Sequence, residues 1–200
     1  LDGSRLKVRT EQMPIGQFIA EALNHEVKDI DIIVLNGGSI RSSLEKGPVS
    51  RKKIHNVHPY GNTISSIKFT AQELFDYFSV IAKKAVVDSR NIIGGYPQIG
   101  KGKLTIVGGK LIKIEARNKS WKIEKIHNKL ESTKEFYNLG TMNFLAKGGD
   151  NYPKISNHKN YIDTGFMINS AMMNYVEKVK DINPTKWEKN LNTIITSVSY

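Results

Sequence analysis

Two short runs hold most of the side chains that suit ligand chemistry. The run Tyr137-Asn138-Leu139-Gly140-Thr141-Met142-Asn143-Phe144-Leu145-Ala146-Lys147-Gly148-Gly149-Asp150 sets an aromatic ring, a glycine pair and a carboxylate where a strand should give way to a loop. Those are the components of a nucleoside pocket. The run Asn36-Gly37-Gly38-Ser39-Ile40-Arg41 follows the apolar stretch Asp31 to Leu35 and supplies an amide, two glycines and a guanidinium. One run suits a base and sugar, the other a phosphate. Neither contains a group able to break a bond.

Other catalytic signatures are missing or misleading. There is no P-loop, no dinucleotide-binding glycine fingerprint and no nucleophile elbow for a Ser-His-Asp triad. Asn24-His25-Glu26 spells part of a metallophosphatase signature, but it ends an amphipathic helical pattern, no glycine precedes it, and no Asp-x-His or His-x-His partner follows. A dinuclear centre needs several carboxylates and imidazoles converging on metals about 3.5–4 Å apart. His55, His58, His127 and His158 are scattered without ligand spacing, so His25 is expected to be a surface or helix-end residue and the chain to hold no metal. With no cysteine, disulfides and thiol nucleophiles are excluded.

The elements that must position these runs can be read from periodicity. Pro14, Ile15, Phe18, Ile19, Ala22 and Leu23 have helical spacing behind a first-turn proline. Ile30 to Leu35 is short and β-branched, as a buried strand should be, and it ends in the Asn36-Gly37-Gly38 loop, the kind of carboxyl-end loop that binds ligands in α/β folds. Ser50 caps a short helix over Arg51 to Asn56, and His58-Pro59-Tyr60-Gly61-Asn62 reads as a turn. Thr63 to Phe69 is a strand, and Thr70-Ala71-Gln72-Glu73 is a capping box opening a helix through Ala85. Gly94-Gly95-Tyr96-Pro97 breaks the chain. Gly108-Gly109 then joins two strands in a hairpin, Trp121 to Ile126 adds β structure, and Glu135 to Thr141 is a last strand leading into a Phe144 to Asp150 loop. A helical pattern is expected over Phe166, Met167, Ala171, Met172, Tyr175, Val176 and Val179. The fold expected is α+β, a mixed α/β arrangement of mixed sheets covered by helices, in a single domain over residues 1–200.

The formal charge of +11 implies attraction to anions. The lysines scatter without one dense tract, which favours a solvated surface and ranks a nucleic-acid-binding module below a mononucleotide pocket. No stretch approaches the roughly 18 apolar residues of a membrane span. The chain opens at Leu1-Asp2-Gly3 with neither an initiator Met nor a signal-peptide pattern, and so reads as a mature fragment or an excised domain.

Five ordered motifs carry a family resemblance: Lys7-Val8-Arg9, Asn36 to Arg41, Pro59-Tyr60-Gly61-Asn62-Thr63, Thr70-Ala71-Gln72-Glu73-Leu74 and Asn143 to Asp150. The chain resembles the C-terminal, substrate-binding domain of the 5'-nucleotidase and UDP-sugar hydrolase family. The likeness extends to about Ile168, leaving residues 184–200 as a C-terminal extension. It implies that Tyr60 and Phe144 stack the base, that Asp150 accepts both ribose hydroxyls, that Asn36 touches the base, and that Arg9 and Arg41 hold the phosphate. Gly38 would permit close backbone approach, and Gly95 is expected at the pocket's far side. The family usually carries Phe where Tyr60 stands, a change of one hydroxyl. The resemblance also implies a nucleoside 5'-phosphate substrate, a metallophosphatase domain with two divalent metal ions N-terminal to this one, and a periplasmic or extracellular location. The isolated chain should then bind nucleotide weakly and hydrolyse nothing. UDP-sugar, NAD and cyclic-nucleotide hydrolases of the same family stay open as alternatives, as does an adhesion or scaffold domain with a vestigial pocket.

Overall fold

The computed structural model describes residues 1–117, 119–188, 191 and 195–198. Two five-stranded sheets organise it. The first runs β3 (Pro97–Gly100), β1 (Ile32–Asn36), β8 (Phe136–Met142), β2 (Thr63–Thr70), β9 (Tyr161–Met167), with β1 and β8 parallel and every other neighbour antiparallel. The second runs β10 (Ile195–Val198), β4 (Gly102–Val107), β5 (Lys110–Ala116), β6 (Lys122–Ile126), β7 (Lys129–Ser132), antiparallel except where β10 joins β4. The mixed α/β architecture expected from the sequence is what forms.

Helix α2 (Pro14–Glu26) starts on its proline and buries Ile15, Phe18, Ile19 and Leu23 beside β1 and β3. Helix α4 (Ala71–Asn91) opens on the capping box: Thr70 Oγ1 accepts from Glu73 N at 3.2 Å, and Glu73 Oε2 accepts from Thr70 N at 2.8 Å. It runs six residues past Ala85 and touches β2 and β8 of one sheet and β5 of the other, so its buried Leu74, Phe75, Phe78 and Ile81 join the two layers. Trp121 meets Tyr137 edge to face at 5.1 Å and closes the same seam. Helix α6 (Ile168–Val179) packs on α2, and α3 (Arg51–Val57) begins at Ser50, whose hydroxyl accepts from Lys53 N. Gly108 and Gly109, with φ of 54° and 76°, make the β4–β5 turn.

Several expectations need correction. Phe166 and Met167 do not start a helix, because Tyr161–Met167 pairs with β2 as an edge strand and the helix begins at Ile168. The burial of that strand alternates poorly, so period within the segment does not reveal it. Strands β3, β7 and β10 were not expected. Each is four residues, too short for a periodic signal. Asn143 to Ala146 is a short helix, α5, and not open loop.

Candidate functional site

Strand direction explains why distant motifs meet. The parallel strands β1 and β8 leave the first sheet at the same end, delivering Asn36 and the start of α5 with Phe144. The antiparallel β2 enters at that end, with Ile64 opposite Met142, so Tyr60 and Asn62 precede it there. β3 enters there as well, with Pro97 opposite Asn36, which places Gly94 alongside. The short helix α1 (Arg5–Val8) packs on the 3-10 turn Gly37–Ser39 and brings Arg9 to the same rim.

These segments enclose a cavity of about 380 Å³ lined by Arg9, Asn36, Gly38, Arg41, Tyr60 and Phe144 among others, and by Asp150. All seven residues singled out for binding from the sequence therefore lie in one place. Tyr60 is 42% and Phe144 41% exposed, so neither ring belongs to the core. Burial is the usual fate of an aromatic side chain, and two rings left open beside one cavity argue for a ligand-facing surface.

Local structure holds each group. Asn36 is buried, and its Nδ2 donates to Asp150 Oδ2 at 2.6 Å, while its Oδ1 has no protein partner. The amide expected to touch a base is thus engaged with the carboxylate, which it orients. Asp150 itself sits at φ 51°, in the left-handed region, behind Gly148 at φ 94°. A strained backbone at a ligand-facing carboxylate is a pattern typical of binding sites. A Cβ on Gly149 would lie 2.5 Å from the Phe144 ring, so only glycine lets the loop pack under that ring. A Cβ on Gly38 would lie 2.8 Å from Gly94 Cα, and Gly38 N donates to Gly94 O at 2.6 Å. The close backbone approach expected at Gly38 is made with Gly94.

Electrostatics separate the two ends of the cavity. The Arg9 guanidinium is held below its ordinary value by burial first, then by the positive charges of Arg5 and Arg41, with Asp150 and Tyr60 acting in the opposite sense. It remains a cation, as arginine does in proteins. Its protein contacts are slight: Nη1 to Ile92 O at 3.4 Å, while Arg41 Nη1 reaches Gly38 O at 3.4 Å. Two guanidiniums that have no paired carboxylate among the described residues and sit close enough to repel are matched to an incoming anion.

Some supporting residues have no counterpart among the expectations drawn from sequence. His58 is fully buried beneath the site, its ring 5.7 Å from Tyr60 at 75°, an edge-to-face contact that fixes the Tyr60 ring. Burial pushes the His58 pKa down to about 4, against a small upward pull from the Ser39 backbone, so the imidazole is neutral. Gly94, not Gly95, lines the cavity; Gly95 packs over the nearly buried ion pair of Lys84 and Asp88, 2.8 Å apart, and its carbonyl accepts from Tyr152 OH at 2.9 Å. The i, i+4 spacing of Lys84 and Asp88 was the available signal. Ser39 and Asn62 also line the cavity, within motifs quoted for other residues. His25 lies at the end of α2 with its ring 5.9 Å from Tyr175, and among the described residues no three His, Asp or Glu side chains converge to hold a metal.

The family model described as "5'-nucleotidase, C-terminal domain" matches residues 1–157. The chain belongs to that family. It is 33% identical over 187 residues to a 5'-nucleotidase of Vibrio cholerae serotype O1, and 31% identical over 188 residues to protein UshA of Escherichia coli K12. Each alignment covers 94% of this chain and 31% of the relative, so the chain spans about a third of the length of these proteins. The fold is shared with a 5'-nucleotidase precursor from Thermus thermophilus, with a TM-score of 0.77 at 22% identity over 99% of this chain and 38% of that one. It is shared too with an NAD nucleotidase of Haemophilus influenzae, at a TM-score of 0.72 and 21% identity over 92% of this chain and 33% of that one. In each of these proteins a domain like this forms the smaller part.

Proposed function

We propose that this domain binds a nucleoside 5'-phosphate and presents it to a metallophosphatase domain that precedes it in a longer polypeptide of periplasmic or extracellular location. The base lies between Tyr60 and Phe144, Asp150 accepts from the ribose hydroxyls, and Arg9 and Arg41 hold the phosphate. The observation that carries this reading is the single cavity in which two half-open rings, a strained carboxylate and two like-charged arginines meet.

Each role follows from side-chain chemistry. An aromatic face against a base is worth about 1–3 kcal/mol and accepts many bases, because every base has a π-face. An ionised carboxylate is purely an acceptor, the right partner for two hydroxyls. Asn36 is set to hold that carboxylate in place through its 2.6 Å hydrogen bond. A phosphate between Arg9 and Arg41 relieves their mutual repulsion and gains charge-assisted hydrogen bonds.

No group in the cavity is placed to cleave the phosphate ester, and the chain offers no cluster of ligands that fits the two divalent ions of the family among its described residues. Bond cleavage therefore belongs to the other domain. The contribution of this chain is alignment: a substrate held by base, sugar and phosphate meets its attacking group in a near-intramolecular geometry. Calorimetry with AMP, adenosine and ribose 5-phosphate tests the reading. AMP should bind tightest, and both fragments should lose affinity. If ribose 5-phosphate bound as tightly as AMP, base stacking would have to be abandoned.

A further inference from the structure

Along the chain the positive charge is densest in one stretch: ten of the thirty Lys and Arg side chains lie between Lys101 and Lys134, against three Glu. On the outer face of the second sheet part of this charge is neutralised, Glu115 pairing with Lys103 across strands and with Lys113 on its own strand, and Glu124 pairing with Lys122 within β6. Lys101, Arg117 and Lys119 gather elsewhere. Beyond the start of β1, at the end of the first sheet away from Asn36, a second cavity of about 330 Å³ is lined by Lys101, Arg117, Lys119 and Lys186 together with Glu21 and Asp31. Five residue steps of extended chain separate Asp31 from Asn36, about 16 Å, so the two cavities are distinct.

Both carboxylates in this second cavity are already engaged through both oxygens. Asp31 accepts from Lys134 Nζ at 2.7 Å and from Asn138 N at 2.9 Å. Glu21 accepts from Lys186 Nζ at 2.6 Å, from Trp187 Nε1 at 2.8 Å and from the Tyr175 hydroxyl. Arg117 has no carboxylate partner among the described residues; its half-buried guanidinium makes one hydrogen bond, to Gln17 Oε1 at 2.7 Å, leaving most of its donor fork open. Its backbone N donates to Lys101 O at 2.9 Å, which fixes the two cations side by side. Lys101 is held at φ 63° and anchored by Asn24 Oδ1 at 2.6 Å and by the Ile30 carbonyl. Burial and then the charge of Lys119 hold its ammonium below the ordinary lysine value. Asp31 and Asp29 pull the Lys101 value the other way, as Glu21 does for Arg117, but these acids do not bond to the open face of the Arg117 fork, which leaves it room for an incoming anion.

We propose that Arg117, Lys101 and Lys119 form a second anion site, for a small oxyanion of the phosphate class, at the opposite end of the first sheet from the nucleotide cavity. The guanidinium fork supplies directional contacts, and the two ammonium groups supply charge. This site shares no residue with the nucleotide cavity.

Titration of the 15N-labelled chain with inorganic phosphate, followed at the arginine side-chain resonances, tests it. The Arg117 Nε–Hε signal should shift and saturate, and Arg117→Gln or Lys119→Ala should each weaken that binding about tenfold, the effect of losing one charge-assisted contact. The double variant Arg9→Gln, Arg41→Gln should leave it intact. Lys119 is exposed, so its replacement leaves the fold undisturbed. Absence of a saturable shift at Arg117 would overturn the proposal. So would phosphate binding that responds only to Arg9 and Arg41, which would place the anion in the nucleotide cavity alone.

Discussion

The two sheets have the same number of strands and use their polar residues in opposite ways. In the first, every residue of β1 is buried, and the polar groups of the cavity sit at or beyond strand ends where five segments converge. In the second, polar groups stand on the outer face and pair with close neighbours: Lys103 of β4 lies 3.4 Å from Glu115 of β5, which also meets Lys113 on its own strand, while Lys122 meets Glu124 within β6. Charges answered by a neighbouring opposite charge make a solvated surface. Charges set beside like charges, as Arg9 is beside Arg5 and Arg41, are held ready for something from outside. The contrast identifies the ligand-binding region better than charge content does, since the second sheet is the richer in lysine.

The largest effect expected separates the two regions by pH. His58, under Tyr60, titrates near 4 when folded and near its ordinary value of about 6.5 when unfolded. As pH falls below 6.5 the unfolded chain takes up a proton that the folded chain refuses until about pH 4, so stability is lost across that window, by about 3 kcal/mol in total. Glu115 in the second sheet behaves differently. Burial pushes it up, but Lys113 and Lys103 outweigh burial and hold it below the ordinary value, so its contribution is lost only as pH falls through that lowered value. Denaturant midpoints measured from pH 7 to pH 4 should fall in the parent chain and flatten in His58→Leu. An unchanged slope in the variant would remove His58 as the source.

A smaller effect is expected from Asp150→Ala. Loss of the carboxylate should weaken AMP binding by about 2 kcal/mol, some thirtyfold, because hydrogen bonds to a charged acceptor are worth about 1.5–3 kcal/mol. The melting temperature should fall as well, since the buried Asn36 amide loses the acceptor to which it donates at 2.6 Å. Retained affinity would show that the sugar is held elsewhere. Smallest of all is Lys113→Ala on the second sheet. A partly exposed ion pair contributes about 0.2–1 kcal/mol, so stability should drop within that range and AMP affinity should stay constant. A loss of AMP binding in that variant would break the division between the sheets.

Much of the binding region is legible in the sequence because its signals are chemical and local. Thr70 to Glu73 announces a helix start by its side-chain chemistry, Gly108-Gly109 announces a turn, and the five motifs pick out Arg9, Asn36, Gly38, Arg41, Tyr60, Phe144 and Asp150 without any knowledge of strand order. The supports are not legible. His58 becomes meaningful only when Tyr60 lies against it, and Lys84 with Asp88 only when Gly95 covers them. Both pairs are local in the chain, but their burial is set by the rest of the fold, and residues of these types are ordinary on a surface. Edge strand β9 escapes periodicity for a related reason: its burial pattern is set by pairing to β2, which the segment by itself does not encode.

The most direct test of the central claim is calorimetric titration of AMP into the chain and into Phe144→Ala. Phe144 is 41% exposed in the short helix α5, so its loss should leave the fold intact and remove only the ring. The account predicts a fall in affinity of about 1–3 kcal/mol, roughly 5- to 150-fold. Equal affinity for AMP in the two proteins would contradict it, and the two open rings would need another explanation.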